Sequence, residues 1–351
     1  MDDADAAASL NPLRRDYDAE FQLTPEYHAS LPDLMCQADA VLHHAPAALQ
    51  QVGISGFRLP LRFLSAQSPE DHRGSNGRKS RAPAAEKTVT LDARVSGTIA
   101  LPAHLRAINM SRIIRTFYEF QDEPFTLDTL PKILARFREK IGGTGARLRL
   151  DFAYPMLQPS LRSGLAGYQY YDAAFEAELS GAEHHPESGD RAGSADDRLR
   201  RWLRFDFVYS SACPCSAELA EHARDTRGVY AIPHSQRSRA RLWVEVSPGA
   251  KLALEDLQAI CKNALVTETQ VMVRRGDEQA FAELNGANVK FVEDAARLLH
   301  RELVADARIH DFQVACAHLE SLHSHDAVAV ICKGVAGGYR GDFTDFGALA
   351  G

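Results

Sequence analysis

Apolar positions along the chain change period several times, and each change marks a boundary between elements. Alternation of apolar and polar residues predicts strands over 51–63, where Val52, Ile54 and Phe57 lead into Leu59, Leu61 and Phe63, and over 88–101, where Val89, Leu91, Ala93 and Val95 face away from Thr90, Asp92 and Arg94. A third strand is predicted over 147–154, with Leu148, Leu150, Phe152 and Tyr154 on one face, and a fourth over 167–179. Between the second and third strands the period becomes helical. One helix is expected near Ser111-Arg112, and another over 128–141, where Leu130, Ile133, Leu134, Phe137 and Ile141 form one stripe and Gly142-Gly143 stops it.

The same order then returns. Strands are predicted over 202–209 (Leu203, Phe205, Phe207, Tyr209) and 241–246, helices over 254–265 and about 289–304, and strands over 309–319 and 327–332. Each half therefore reads strand-strand-helix-helix-strand-strand, which predicts an α+β fold of antiparallel sheets with helices on one face. Such a sheet has open edges and one thinly covered face, so association of copies side by side is expected.

Polar and Pro/Gly-rich stretches divide the chain further. Residues 1–50 read as an N-terminal arm, acidic at first, partly disordered and broken by Pro12, Pro25, Pro32 and Pro46. Residues 51–180 form the first unit, with a mobile insertion at about 65–87; 181–198 are a polar linker; 199–335 form the second unit; and 336–351 are a loose tail. Hydrophobic content of 45% and charged content of 25% match an ordinary soluble globular protein. The net charge of −7 argues against a general nucleic-acid binder while leaving room for a local basic pocket. No run of about 18 apolar residues predicts a membrane span, and the acidic start lacks the apolar stretch of a secretory signal. Six cysteines are too sparse for a disulfide scaffold, so a cytoplasmic protein is expected.

Chemistry concentrates after the 202–209 strand, in Ser210-Ser211-Ala212-Cys213-Pro214-Cys215-Ser216, and in the turn Pro233-His234-Ser235-Gln236-Arg237-Ser238 before the next. A thiol and an imidazole at the ends of paired strands can meet at one cation. The plainer reading of Cys213 and Cys215 is two small packing residues, as Cys261, Cys316 and Cys332 are read, yet these two sit in a proline turn and not on an apolar face. In an extended segment, His323 and His325 would project to one side, as metal ligands or an acid/base pair; Ser, His and Asp are equally ordinary in a solvated turn. Glu278 follows a polar turn, where a carboxylate usually faces water. Glu293 falls in the first turn of a helix, where it meets the helix dipole or, in a pocket, accepts two donors of a guanine edge.

In this order and at fitting spacings, Cys213-Pro214-Cys215-Ser216, the His234-Ser235-Gln236-Arg237-Ser238 turn, Asp277-Glu278, Phe291-Val292-Glu293-Asp294 and Glu320-Ser321-Leu322-His323-Ser324-His325 resemble the type IB GTP cyclohydrolases. The resemblance runs from about Leu31 to about Lys333 and includes Met110-Ser111-Arg112. It implies two tandem tunnelling-fold units that assemble as a homotetrameric barrel with active sites between subunits. It implies an enzyme that opens the imidazole ring of GTP at C8, releases formate and yields 7,8-dihydroneopterin triphosphate for folate or pterin synthesis. Cys213, His234 and Glu278 would hold a divalent metal (Zn, Mn or Fe), His323 and His325 would carry protons, and Glu293 would anchor the guanine. Charge and position nominate Arg237 and Arg112 for the triphosphate. One departure is a connection at 217–232 several residues longer than the family spacing, which offers His222 as an alternative to His234; Cys215 is the alternative to Cys213. The rival expectations are an iron enzyme that gives a cyclic-phosphate pterin, a purine- or pterin-binding protein without catalysis, and a zinc-stabilised interaction module.

Overall fold

A computed structural model of the chain describes residues 17–31, 47–65, 87–103, 105, 107–180 and 198–350. The expected insertion at about 65–87 and linker at 181–198 lie almost wholly outside these residues, as does much of the N-terminal arm. The chain divides into two compact units, 1–44 and 45–351. In the first, helix α1 (Pro25–Ser30) is capped by the Thr24 hydroxyl, which accepts from the Tyr27 N–H at 3.2 Å.

In the second unit, β1 (Leu49–Ser65) and β2 (Lys87–Leu101) precede α2 (Met110–Tyr118) and α3 (Leu130–Ile141), and β3 (Ala146–Pro159) and β4 (Ala166–Ser180) follow. The second half runs β5 (Arg198–Ala212), α4 (Pro214–Arg227), β6 (Ser235–Val246), α5 (Leu254–Leu265), α6 (Arg275–Ala287), α7 (Val292–Ala305), β7 (Ile309–His318) and β8 (Ala327–Cys332). The eight strands of the described residues form one antiparallel sheet in chain order, β1 to β8. The fold is α+β, with each strand where the alternation predicts one. Among the described residues no helix is long and apolar enough to cross a membrane.

Besides α1, two helices of the described residues are additional to the sequence expectation, and both lie beside the residues of interest. Helix α4 occupies most of the long 217–232 connection, opened by Pro214 in its first turn and closed by Gly228 at φ 62°. Only Ala220 of α4 is buried, so it has no apolar stripe to read. Helix α6 buries only Asp277 and Ala280. Helices α5, α6 and α7 share a start signal, an aspartate in the first turn reaching back to a backbone N–H: Asp256 to Ala253, Asp277 to Arg274 and Asp294 to Phe291.

One face of the sheet carries the core. Leu148, Leu150, Ala173, Phe175, Leu203, Phe205, Leu242 and Val314 meet α3, α5 and α7 in a single apolar cluster across both halves. The other face carries ion pairs, with Arg200 on Glu245 at 2.7 Å and Arg241 on Asp206 at 2.6 Å. Here the structure corrects the expectation of a loose tail. Leu349 is buried against Ala315 and Ala317, Phe343 packs on Trp243, and the Ala348 carbonyl accepts from Arg241 at 3.1 Å, so the C-terminal residues cover β6–β8. Their scattered apolar residues dock on a flat sheet face, a pattern without a period.

Candidate functional site

The core-facing positions of three neighbouring strands turn polar toward one end of the sheet. Along β5, Phe205 and Phe207 give way to Tyr209 and Ser211; along β6, Leu242 and Ala240 give way to Ser238 and Gln236; along β7, Val314 and Cys316 give way to His318. Register brings these residues side by side, with Tyr209 opposite Ser238, Ser238 opposite His318, and Ser211 opposite Gln236. Buried polar groups must find partners, and these do. The Tyr209 hydroxyl meets His318 Nε2 at 3.0 Å, Ser211 Oγ meets Ser238 Oγ at 2.8 Å, and the Gln236 amide donates to Ser211 Oγ at 2.8 Å.

At the rim of this polar end, the Cys213 backbone N–H donates to the His234 carbonyl at 3.2 Å, extending the β5–β6 pairing by one step. Cys213 is a half-buried free thiol at the N-cap of α4, where a helix terminus favours negative charge. His234 is held from two sides: its backbone N–H donates to Ser216 Oγ at 3.2 Å, and its Nδ1 lies 3.2 Å from Gln236 Oε1 and 3.5 Å from Glu320 Oε2. Cys215 is exposed in the first turn of α4. His222 lies about 10 Å further along the same helix, exposed, so it is His234 that adjoins Cys213.

The β7–β8 connection emerges at the same end, where the Leu319 N–H donates to the Arg237 carbonyl at 3.3 Å. It carries Glu320 and the exposed His323 and His325, whose rings stack with centroids 4.9 Å apart and planes 10° from parallel. Helix α7 is tied in by the Lys290 N–H, which donates to the Ala212 carbonyl at 3.1 Å, and Glu293 stands exposed in its first turn. Glu278 is exposed at the start of α6. Its neighbour Asp277 anchors that helix to the β3–β4 turn by accepting from the N–H groups of Arg162 and Ser163 at 2.7 and 2.8 Å. The Ser163 side chain and the backbone donors of Arg274, Arg162 and Ser163 hold the Asp277 carboxyl well below the usual range. Arg237 is exposed at the start of β6. Arg112 stands apart: its guanidinium donates to the Lys140 carbonyl at 3.0 Å, beside the start of β3 and so at the opposite end of the sheet.

The sequence reading gave no role to Gln236, Lys290, His318 or Glu320. For Gln236 and His318 the signal is the loss of apolar residues from core-facing strand positions at one end only; Lys290 and Glu320 lie outside the strands and carry no such signal. Lys290 is buried, with Nζ donating to Thr267 Oγ1 at 3.2 Å and to the Asn288 carbonyl, and burial pulls its pKa down to about 8. Burial, helped by the Lys290 charge and opposed by Asp294, pulls His318 down to about 4. An unfolded histidine titrates near about 6.5. The stability this difference confers is complete above about 6.5, declines as pH falls, and is exhausted below about 4, a swing of roughly 3 kcal/mol. We expect His318→Gln to flatten the loss of urea resistance between pH 7.5 and 4.5 relative to wild type. An unchanged acid limb in the variant would remove His318 as its source.

The donor chemistry at Cys213 and His234, a free thiol and an imidazole on residues joined by a backbone hydrogen bond, suits a borderline divalent cation. Among the described residues of one chain, no three His, Cys, Asp or Glu side chains converge into a set that could hold a metal. Cys213 and His234 meet on one rim through their backbone hydrogen bond.

Comparison with known proteins supplies the remaining context. A family profile described as "Type I GTP cyclohydrolase folE2" matches residues 31–329. GTP cyclohydrolase FolE2 of Paracoccus denitrificans is 46% identical over 322 residues, covering 92% of this chain and 90% of that protein. The FolE2 protein of Dinoroseobacter shibae is 46% identical over 324 residues, covering 92% of this chain and 79% of its own. Among solved structures, uricase from Arthrobacter globiformis aligns at a TM-score of 0.44 with 12% identity, over 85% of this chain and 97% of that one.

Proposed function

The chain belongs to the type I GTP cyclohydrolase FolE2 family, and from that footing we propose how its residues turn GTP and water into formate and 7,8-dihydroneopterin 3'-triphosphate. It is a GTP cyclohydrolase of folate and pterin biosynthesis, working, on this reading, in the cytoplasm. The observation that carries the assignment of residues is the polar end of the core, where Cys213, His234 and the 319–326 connection share one sheet end.

Cys213, His234 and Glu278 would hold a divalent cation, Zn, Mn or Fe. A cation so held supplies a Lewis acid and lowers the pKa of water. His323 and His325 would donate and accept protons as C8 is attacked and the imidazole ring opens. The Glu293 carboxylate would accept from the two N–H donors of the guanine edge. Arg237 would face the triphosphate; Arg112, engaged at the far end of the sheet, could serve only a neighbouring copy's site. Glu278, Glu293, His323 and His325 are exposed in the single chain, β1 and β8 end the sheet, and no set of three ligands closes among the described residues of one chain. These features support a homotetramer with sites between subunits.

Glu293→Gln tests the guanine anchor. Replacing a carboxylate acceptor by an amide leaves one guanine donor facing an N–H, at a cost of about 1.5–3 kcal/mol, or roughly tenfold to hundredfold in GTP affinity. The expected result is a rise of that size in KM for GTP with a folded oligomer. An unchanged KM would return Glu293 to a helix-terminus role. Phosphatase treatment of the product separates the linear triphosphate, which it strips to 7,8-dihydroneopterin, from a 2',3'-cyclic phosphate, which resists it.

A further inference from the structure

The polar end of the core contains a side chain that the reaction scheme leaves idle. Gln236 is 9% exposed and sits between His234 and the buried hydroxyls of Ser211 and Ser238. We infer that Gln236 is a positioning residue: through a hydrogen bond to His234 Nδ1 it keeps the proton on that nitrogen and leaves Nε2 with the lone pair a metal requires. The inference rests on the proposed ligand role of His234.

An imidazole has two neutral tautomers, and the partner of one nitrogen decides which is populated. Nδ1 faces two oxygens, Gln236 Oε1 at 3.2 Å and Glu320 Oε2 at 3.5 Å. A nitrogen between two acceptors carries the proton. The amide by itself could be turned over, since Ser211 and Ser238 can donate in either direction along their 2.8 Å contact. Glu320 breaks that symmetry, because a carboxylate cannot donate to Nδ1. With Nδ1–H fixed, the amide oxygen faces His234 and the amide nitrogen donates to Ser211 Oγ at 2.8 Å. The Ser211–Ser238 pair is wholly buried between paired strands, so the orientation of the amide, and through it of the ring, is set by the rigid part of the fold.

The test compares wild type with Gln236→Leu, which keeps the volume and removes the acceptor, and Gln236→Glu, which keeps an acceptor. Zn and Mn affinities are measured on stripped protein by competition with a chromogenic chelator, with folding checked by thermal unfolding. Partners of ligating histidines typically contribute about 10–100-fold to metal affinity. The expected result is that loss in Gln236→Leu, with Gln236→Glu binding at least as tightly as wild type. A folded Gln236→Leu with wild-type affinity overturns the inference. If Gln236→Leu does not fold, a tenfold or greater loss in folded Gln236→Glu overturns it instead. If His234→Ala binds metal as wild type does, the ligand assignment itself has failed, a separate result from failure at Gln236.

Discussion

Cys213→Ala is expected to lower the rate of formate release from GTP at least ~10³-fold while leaving a folded protein. The size follows from the role: Lewis-acid stabilisation contributes several kcal/mol, and each ~1.4 kcal/mol is tenfold in rate. The folded state should tolerate the change because the Cys213 side chain makes no capping hydrogen bond. Its backbone N–H, which reaches the His234 carbonyl at 3.2 Å, survives the substitution. The stability cost should therefore stay within about 1 kcal/mol. Formate release and thermal unfolding, measured on the same preparation, separate the two effects. Activity within tenfold of wild type in Cys213→Ala would take the ligand role from this thiol and pass it to Cys215, exposed one residue beyond Pro214.

The second large effect is expected at His323. General acid–base groups contribute about 10²–10⁴-fold, and His323→Ala should lose an amount in that range with little change in GTP binding. His323 and His325 stack at 4.9 Å, so they are neighbours, and on the proposed reading they share one task. Removing both should cost scarcely more than removing the more important one, because groups that act as a unit are strongly non-additive. Both side chains are exposed on a turn, so neither alanine disturbs the core. Losses that multiply in the double variant would mean two independent roles. A wild-type rate in His323→Ala would leave the pair as a solvated turn.

What could be read from the sequence was what periodicity carries. All eight strands and helices α2, α3, α5 and α7 present an apolar face to one core, and burial makes that face visible as a repeat. Helices α4 and α6 bury almost nothing and so left no trace, although Pro214 and Gly228 mark both ends of α4. That helix resolves the long connection after Cys215: the additional residues coil into three to four turns, carry His222 outward, and return the chain to His234. The tail escaped for the opposite reason, since Phe343, Phe346 and Leu349 dock singly on a sheet face.

The candidate site was legible as a set of unusual residues but not as an arrangement. Cys213, His234, His323 and His325 stood out by type and spacing. The residues that support them did not, because Gln236, Ser211 and Ser238 look like ordinary strand-end polar residues until register stacks them in one buried row. Arg112 shows the converse: its charge nominated it, and the fold gives its guanidinium a carbonyl at the C-terminus of α3. Glu278 and Glu293 stand exposed at helix starts, and on the proposed reading their roles depend on what a neighbouring copy brings to them.

The central claim is that a metal held by Cys213 and His234 opens the purine ring of GTP. Its most direct test is an anaerobic incubation of stripped protein with GTP, adding Mn, Zn or Fe one at a time and following formate together with neopterin fluorescence after oxidation. The account predicts that both products appear in equal amounts, only on addition of metal, and in neither Cys213→Ala nor His234→Ala. Equal turnover by the stripped protein, or by either variant with metal restored, would contradict it.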